Sequence, residues 1–523
     1  MRSALTETRW DVIVIGTGIG GGTVARALAE AGRRVLMLEK GAAGHRAEQT
    51  PLSHDIFVPE ARALRGFWPG QMRADVDGQV SRFFGPLGAG VGGSSLFYAA
   101  TLERPEPHDL DHSDAHPHPT GGWPVAFAEF APWLDRAGAL YKVNGTQDPL
   151  SAHPAGTLAA PPPPAPGDAA LIALFERAGL HPYQLHTALA HLEGCKSCLG
   201  FKCPRACKMD GRSAGVEPAL ATGNAAVMDR SEVTRLIGDG QRITGVEVRR
   251  EGETLILTGD HYILAGGAFG SPRLALASAC EAFPNGVANS SGLVGRGLMF
   301  HLNEMFAIWP GGGFDGPSKS VGFRDHYHVD GQRLGMVQAL GVDASYGEIA
   351  WYLRNLVEAS RWGRLPGLAG ATRIPAALAA RLLGNARIFV GLMEDLPYDH
   401  NRVLPPDHGD EIGFEYRISD ELKARRKLFR RRISRGLKGH RRMFLAQRPE
   451  LNFGHPSGTM RFGNDPARAV LRSDGRTHDV VNLWGADAGF MPTSMGVNPS
   501  LSIAAQALRV ADAIVKGGRD GTQ

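Results

Sequence analysis

The chain has 523 residues, more than one ordinary domain holds, and 43% of them are apolar, enough for a large core. Its 57 Lys and Arg against 53 Asp and Glu leave a net charge of +4, scattered apart from one cluster, which makes no case for nucleic-acid binding. The opening MRSALTETRW has no apolar stretch of signal-peptide type, and no apolar run reaches about 18 residues, so the expectation is a cytoplasmic protein without a membrane span that acts on small molecules.

From Asp11 the sequence runs DVIVIGTGIGGGTVARALAEAGRRVLMLEKG, which predicts a strand, a turn, a helix and a second strand. Gly16, Gly18 and Gly21 stand at the G-x-G-x-x-G spacing after the β-formers Val12 to Ile15. Gly16 permits the tight turn, Gly18 the close approach of a pyrophosphate, and Gly21 the packing of helix on strand. The bare helix N-terminus would face the phosphates with its positive end. After the second strand, Val35 to Leu38, Glu39 is placed to accept from the hydroxyls of an adenosine ribose. These features together predict a dinucleotide site.

Residues 42–82 read as polar and irregular, up to the stretch FFGPLGAGVGGSSLFYAATLERP that begins at Phe83. Its glycines, Gly85 to Gly93 with Gly92 and Gly93 before Ser94, have no helical or strand period; they suit backbone laid flat on a large planar ligand, and equally a surface loop. The stretch resembles the first signature of the glucose-methanol-choline oxidoreductases, flavoenzymes that oxidise alcohols. The resemblance implies that Gly92, Gly93 and Ser94 run along an FAD. Some relatives tether FAD through a His near the end of this stretch, where this chain has Phe97 and Tyr98, so FAD is expected without a covalent link.

Trp123 to Tyr141 reads as packed helix, and Pro161 to Pro166 as a polyproline spacer on the surface. Cys195, Cys198, Cys203 and Cys207 then gather four of the five cysteines at C-x2-C-x4-C-x3-C. A metal site such as zinc, an iron-sulfur cluster and two local disulfides are the alternatives for them. Some sugar dehydrogenases of the family hold a cluster in this region, and a cluster would imply an electron-acceptor protein as partner. Val227 to Thr258 predicts a small antiparallel meander. The resemblance implies that Val233 lies beside the adenine. YILAGGAFGSPRLALAS, 262–278, predicts a buried strand breaking at Gly266-Gly267 into a helix with Ser271-Pro272 at its start, and resembles the second family signature.

Residues 301–451 carry no glycine fingerprint and interrupt the nucleotide-binding sequence as an insertion would. Within them, Leu422 to Arg442 is densely basic, with Leu422, Phe429, Ile433 and Leu437 on one helical face; the charges read as a solvated face, the alternatives being an acidic partner or a membrane surface. Trp351 to Leu383 carries the same ambiguity, with a lid over a greasy substrate entrance as a third reading.

The C-terminal HPSGTMRFG matches the family's catalytic loop at His455, Gly458, Thr459, Met460 and Gly463. Hydride departure from a carbinol leaves a carbonyl only if the hydroxyl proton departs too, and a neutral imidazole accepts it near pH 7. The resemblance implies that His455 is this base, that Asn498 in GVNPS donates to the same oxygen and meets the flavin, and that Asp487 in WGADAG meets the pyrophosphate and ribitol. The run after Pro499 predicts a helix whose N-terminus points at the flavin.

The fold class expected is α/β: a doubly wound, Rossmann-like FAD-binding domain assembled from residues 1–110, 190–300 and 452–523, with an inserted α+β substrate lobe, 111–189 and 301–451, on an antiparallel sheet. The function expected is FAD-dependent oxidation of a CH-OH group in an alcohol, sugar or sterol-like substrate, with electrons passing to oxygen or another acceptor. A flavin/iron-sulfur electron-transfer protein and an NAD-linked reductase are the alternatives; the second would need a further fingerprint, and the sequence has none.

Overall fold

The computed structural model describes residues 2–44, 59–193, 195, 202–310, 318–341, 349–350, 353–354, 357, 365, 367–407 and 409–520. Its centre is a five-stranded sheet in the order Leu483–Gly485, Gly259–Leu264, Trp10–Ile15, Val35–Leu38, Ala225–Met228. Every pairing in it is parallel, with Val12 opposite Val35 and His261, and Val35 opposite Ala225. Val12 to Ile15, Val35 to Leu38 and Tyr262 to Leu264 are apolar on both sides because both faces are covered. Val12, Val14, Val35, Met37 and Ile263 pack on the helices Ile19–Glu30 and Ser500–Asp520. Ile13, Ile15, Leu36, Leu38, Tyr262 and Leu264 fall in the core on the other side, with Leu236, Val246, Val248 and Leu257. Those four come from the antiparallel meander, Ser231–Gly238, Ile243–Arg250 and Glu253–Leu257, which begins at Ser231 and not at the expected Val227, because Val227 and Met228 pair in parallel with Met37 and Leu38 in the central sheet. The helix after Leu264 starts at Gly267, four residues before the expected Ser271, because Gly267 takes a φ of +78° that turns the chain at once.

A seven-stranded antiparallel sheet stands beside this core. Leu302–Ile308 and Arg387–Met393 pair along their whole lengths, from Leu302 opposite Met393 to Ile308 opposite Arg387. Glu450–Leu451 extends the edge of Leu302–Ile308 and delivers the chain into the His455 loop. The helix Asp420–Gly436 covers this sheet, capped by Ser419, whose hydroxyl accepts from Leu422 N at 3.1 Å. Leu422, Phe429, Ile433 and Leu437 are buried as their spacing predicted.

The charges of this helix depart from expectation. Arg425 is buried and donates to the carbonyls of Arg333 and Glu394 at 3.0 and 2.9 Å. Arg426 and Arg430 both pair with the buried Glu304, at 2.9 Å from Arg426 Nε to one oxygen and 2.9 Å from Arg430 Nε to the other. This part of the basic run is an internal ion cluster that clamps helix to sheet, whose acidic member comes from a distant strand.

Residues 42–82 also differ. The segment holds a helix, Pro59–Arg65, and a hairpin, Met72–Val76 with Gln79–Phe83. Asp77 and Gly78 turn it with φ of +52° and +79°, the Asp-Gly turn that matches strand twist. Met72 and Ala74 face the core, a period-two pattern short enough to be read as loop. Much of Trp351 to Leu383 lies outside the described residues, and its helix Arg373–Leu383 packs Ala376 and Leu383 inward. Among the described residues, no helix is long and apolar enough to cross a membrane.

Glu304→Ala should strand two partly buried guanidinium groups and lower stability by on the order of 3 kcal/mol. Urea unfolding followed by far-UV circular dichroism measures this, and an unchanged midpoint would assign the two arginines to solvent.

Candidate functional site

Gly16 closes the first strand with a φ of +106°, and a Cβ there would lie 2.3 Å from the Ala265 carbonyl oxygen. A Cβ on Gly21 would lie 2.0 Å from Gly16 O, so both positions are closed by backbone. Gly18 is the opposite case: a Cβ would meet nothing within 4 Å. The spacing thus divides into two glycines needed for packing and one that leaves room for a ligand at an uncapped helix N-terminus.

Glu39 is buried at the end of the second strand, and burial pushes its carboxyl above the usual range. It accepts from Thr17 Oγ1 at 2.6 Å, Thr17 N at 3.2 Å and Gly41 N at 3.0 Å. Thr17 Oγ1 in turn accepts from Gly92 N at 3.1 Å, which joins the second glycine cluster to the first. Gly93 and Ser94 reach the wall of a cavity of about 710 Å³, whereas Gly92 and Gly21 stand behind it. The same wall carries Gly16, Gly18, Glu39, Val233, Asp487, His455 and Asn498.

Asp487 already accepts three hydrogen bonds. One oxygen accepts from Ser271 Oγ and from Gly267 N at 2.9 Å, the other from Gly489 N at 2.8 Å. It pins the second signature to the C-terminal loops while lining the cavity.

At the far end, His455 sits on a loop whose Gly458 has a φ of +84° and whose Cβ position is 2.5 Å from Gly297 O. His455 Nδ1 is 3.1 Å from His301 Nδ1 and 3.3 Å from Asn452 Nδ2. Burial, with the neighbouring His301 adding to it, pulls the His455 imidazole down to about 3, so it is neutral near pH 7. Asn498 Oδ1 is buried and has no hydrogen-bond partner among the described residues. An orphaned polar atom on the wall of a ligand-sized cavity marks a place where a ligand group belongs.

Sequence reasoning missed four residues here. Thr17 and Asn452 stand beside motif residues without belonging to a motif, and His301 precedes an ordinary-looking strand, Leu302–Ile308. Arg62 comes from the stretch read as irregular: it is buried on the cavity wall over the Phe67 and Phe84 rings and donates to Gly85 O at 2.8 Å. Burial lowers it only to about 10, so it presents a positive charge. A lone Arg in a polar segment carries no signal of this kind.

The cysteines are only partly described, since Cys198 lies outside the described residues. Cys195, Cys203 and Cys207 are free thiols; the Sγ atoms of Cys207 and Cys195 are 3.3 Å apart, and Cys203 Sγ accepts from the amides of Cys207 and Lys208 at 3.3 and 3.4 Å. Among the described residues, no group of three or more His, Cys, Asp or Glu is placed to hold a metal ion. Without Cys198, the three described cysteines do not by themselves make up an iron-sulfur or zinc centre. Next to them, the buried Lys208 donates to Leu96 O at 2.7 Å, holding this loop onto the second glycine cluster.

Two family models, both described as GMC oxidoreductase, match residues 10–303 and 423–507. A paromamine 6'-oxidase of Streptomyces fradiae is 28% identical, over 97% of this chain and 91% of its own. A 2-methyl-1,2-propanediol dehydrogenase of Mycolicibacterium austroafricanum is also 28% identical, over 96% and 95%. An FAD-dependent oxidoreductase of Chaetomium thermophilum has a similar fold, with a TM-score of 0.64 at 16% identity over 98% of this chain and 100% of the other.

The two kinds of glycine predict different losses. Gly18→Ala should fold normally and bind flavin at least about tenfold more weakly, whereas Gly16→Ala should lose at least about 2 kcal/mol of stability. Melting curves and flavin content after dialysis separate the two, and equal flavin retention by Gly18→Ala would remove that position from the site.

Proposed function

The chain belongs to the GMC oxidoreductase family of FAD-dependent oxidoreductases that act on CH-OH donors, and we propose that His455 is its base in oxidising an alcohol, sugar or sterol-like substrate. The observation that carries this reading is the shared wall: a neutral His455 and an Asn498 with a vacant oxygen line the same cavity as the dinucleotide fingerprint.

In this reading residues 1–110, 190–300 and 452–523 form the FAD-binding part and 111–189 and 301–451 the substrate lobe. Gly16, Gly18 and Gly21 shape the pyrophosphate turn, Glu39 meets the ribose, Val233 the adenine, and Gly93, Ser94 and Asp487 hold the middle of the cofactor, with Gly92 bracing that loop from behind through Thr17. Bound FAD supplies the hydride acceptor. His455 takes the hydroxyl proton, and the Asn498 amide group donates to the same oxygen while accepting at its vacant atom. A base already neutral needs no proton lost before it acts. Electrons leave to oxygen or another acceptor, and the rate of reoxidation in air against that with a dye assigns which.

FAD is held without a covalent bond, since Phe97 offers no attachment atom and the Tyr98 hydroxyl is committed to Met209 O. Acid precipitation should release yellow flavin, and colour remaining in the pellet would contradict this. His455→Ala should keep FAD yet slow anaerobic flavin reduction by about 10²- to 10⁴-fold, with Asn498→Ala costing less. A near-normal stopped-flow rate for the His455 variant would sink the reading.

The His455 imidazole is held down to about 3, so it stays unprotonated throughout the neutral range. The reduction rate should be flat between about pH 5 and 8 and fall only in stronger acid. An acid limb near the ordinary imidazole value would mean that His455 titrates freely.

A further inference from the structure

His301 joins the two loops that carry His455 and Asn498. Its ring is 1% exposed, and its Nε2 lies 3.0 Å from Met495 O, three residues before Asn498. Its own carbonyl accepts from Asn452 N at 2.8 Å, and Asn452 O accepts from His455 N at 2.9 Å. Backbone bonds therefore set the two imidazoles side by side, nearly perpendicular at 82° with ring centroids 5.0 Å apart.

The proton positions follow from this network. A nitrogen 3.0 Å from a carbonyl oxygen must be a donor, so Nε2 of His301 carries a hydrogen. Burial holds the His301 imidazole down to about 4, so it has one ring proton and its Nδ1 is a lone pair. That lone pair is 3.1 Å from His455 Nδ1. We propose that His301 fixes the tautomer of His455, holding its proton on Nδ1 and leaving Nε2 bare to take the substrate's hydroxyl proton, an inference that rests on His455 being the base.

The competing arrangement has Asn452 Nδ2 donating to a bare Nδ1 of His455 across 3.3 Å. It sets two nitrogen lone pairs face to face and moves the His455 proton to Nε2, where the ring cannot act as the base. The first arrangement replaces that repulsion with a hydrogen bond at the shorter distance. His301 is then a positioning residue that acts through His455.

Two substitutions separate this role from a structural one. His301→Asn keeps an acceptor at the position of Nδ1, while His301→Gln keeps a donor at the position of Nε2 for Met495 O. In the FAD-loaded protein, His301→Asn should lose less than about tenfold in anaerobic flavin reduction and His301→Gln about 10²-fold or more, with equal flavin content. The reverse order would mean that His301 serves only to hold the Met495 carbonyl, and would overturn the proposal.

The wild-type tautomer is measured independently, by ¹⁵N resonances of histidine-labelled protein assigned through the signals lost in His455→Ala. A bare Nε2 and a protonated Nδ1 on His455 are expected; the opposite pattern overturns the proposal even if a variant fails to fold. Should no alcohol reduce the wild-type flavin, the functional reading falls, while the ¹⁵N result still decides the tautomer.

Discussion

The structure depends on backbones meeting at the carboxyl ends of the central parallel strands with no room for side chains. A Cβ on Gly20 would lie 1.7 Å from Ala486 O, one on Gly93 2.9 Å from Gly18 Cα, and one on Gly211 2.7 Å from Gly18 O. With the contacts of Gly16 and Gly21, four remote stretches of chain, around Gly93, Gly211, Ala265 and Ala486, converge on one turn. A ligand at the uncapped helix end therefore meets peptide N–H groups rather than side chains, which suits a pyrophosphate. The same convergence brings Asp487 and the His455 loop, hundreds of residues away, to the cavity that this turn begins.

Burial then decides the charge state of what lines the cavity. Glu39 and Asp487 are pushed above the ordinary carboxylate range by desolvation and recover part of that cost through three donors each. His455 and His301 are pushed the other way and stay neutral. Arg62 remains charged because a guanidinium lowered to about 10 is still far above neutral pH. The pocket thus has a neutral imidazole at its His455 end and a fixed positive charge elsewhere on the wall.

Features with a local period or an invariant backbone demand were legible from residues alone. Val12 to Ile15 and Val35 to Leu38 are continuous apolar runs, the glycine spacing states its own geometry, and Leu422, Phe429, Ile433 and Leu437 mark one helical face. What was not legible is pairwise and distant. Arg430 reads as a solvent charge until Glu304, 126 residues earlier, is placed against it. His301 and His455 are 154 residues apart, and neither sequence context mentions the other. The hairpin at Asp77-Gly78 is a different failure, because its turn signal was present and its strands were too short for the alternation to stand out.

The pairing of His301 with Met495 bears on how the two candidate reacting groups are held together. Met495 has a φ of +58°, a conformation that non-glycine residues rarely keep without support. Its carbonyl accepts from His301 Nε2 at 3.0 Å, and the next amide, Gly496 N, donates to the Tyr327 hydroxyl at 2.7 Å. The strained loop is thus bound to two side chains from the 301–451 segment. One of those side chains also touches His455. Any movement of the Asn498 loop must lengthen the His301 bond or carry the His301 ring with it, and the ring cannot shift without changing its contact to His455. The two groups that would act on one substrate oxygen are therefore coupled through a single imidazole rather than positioned separately.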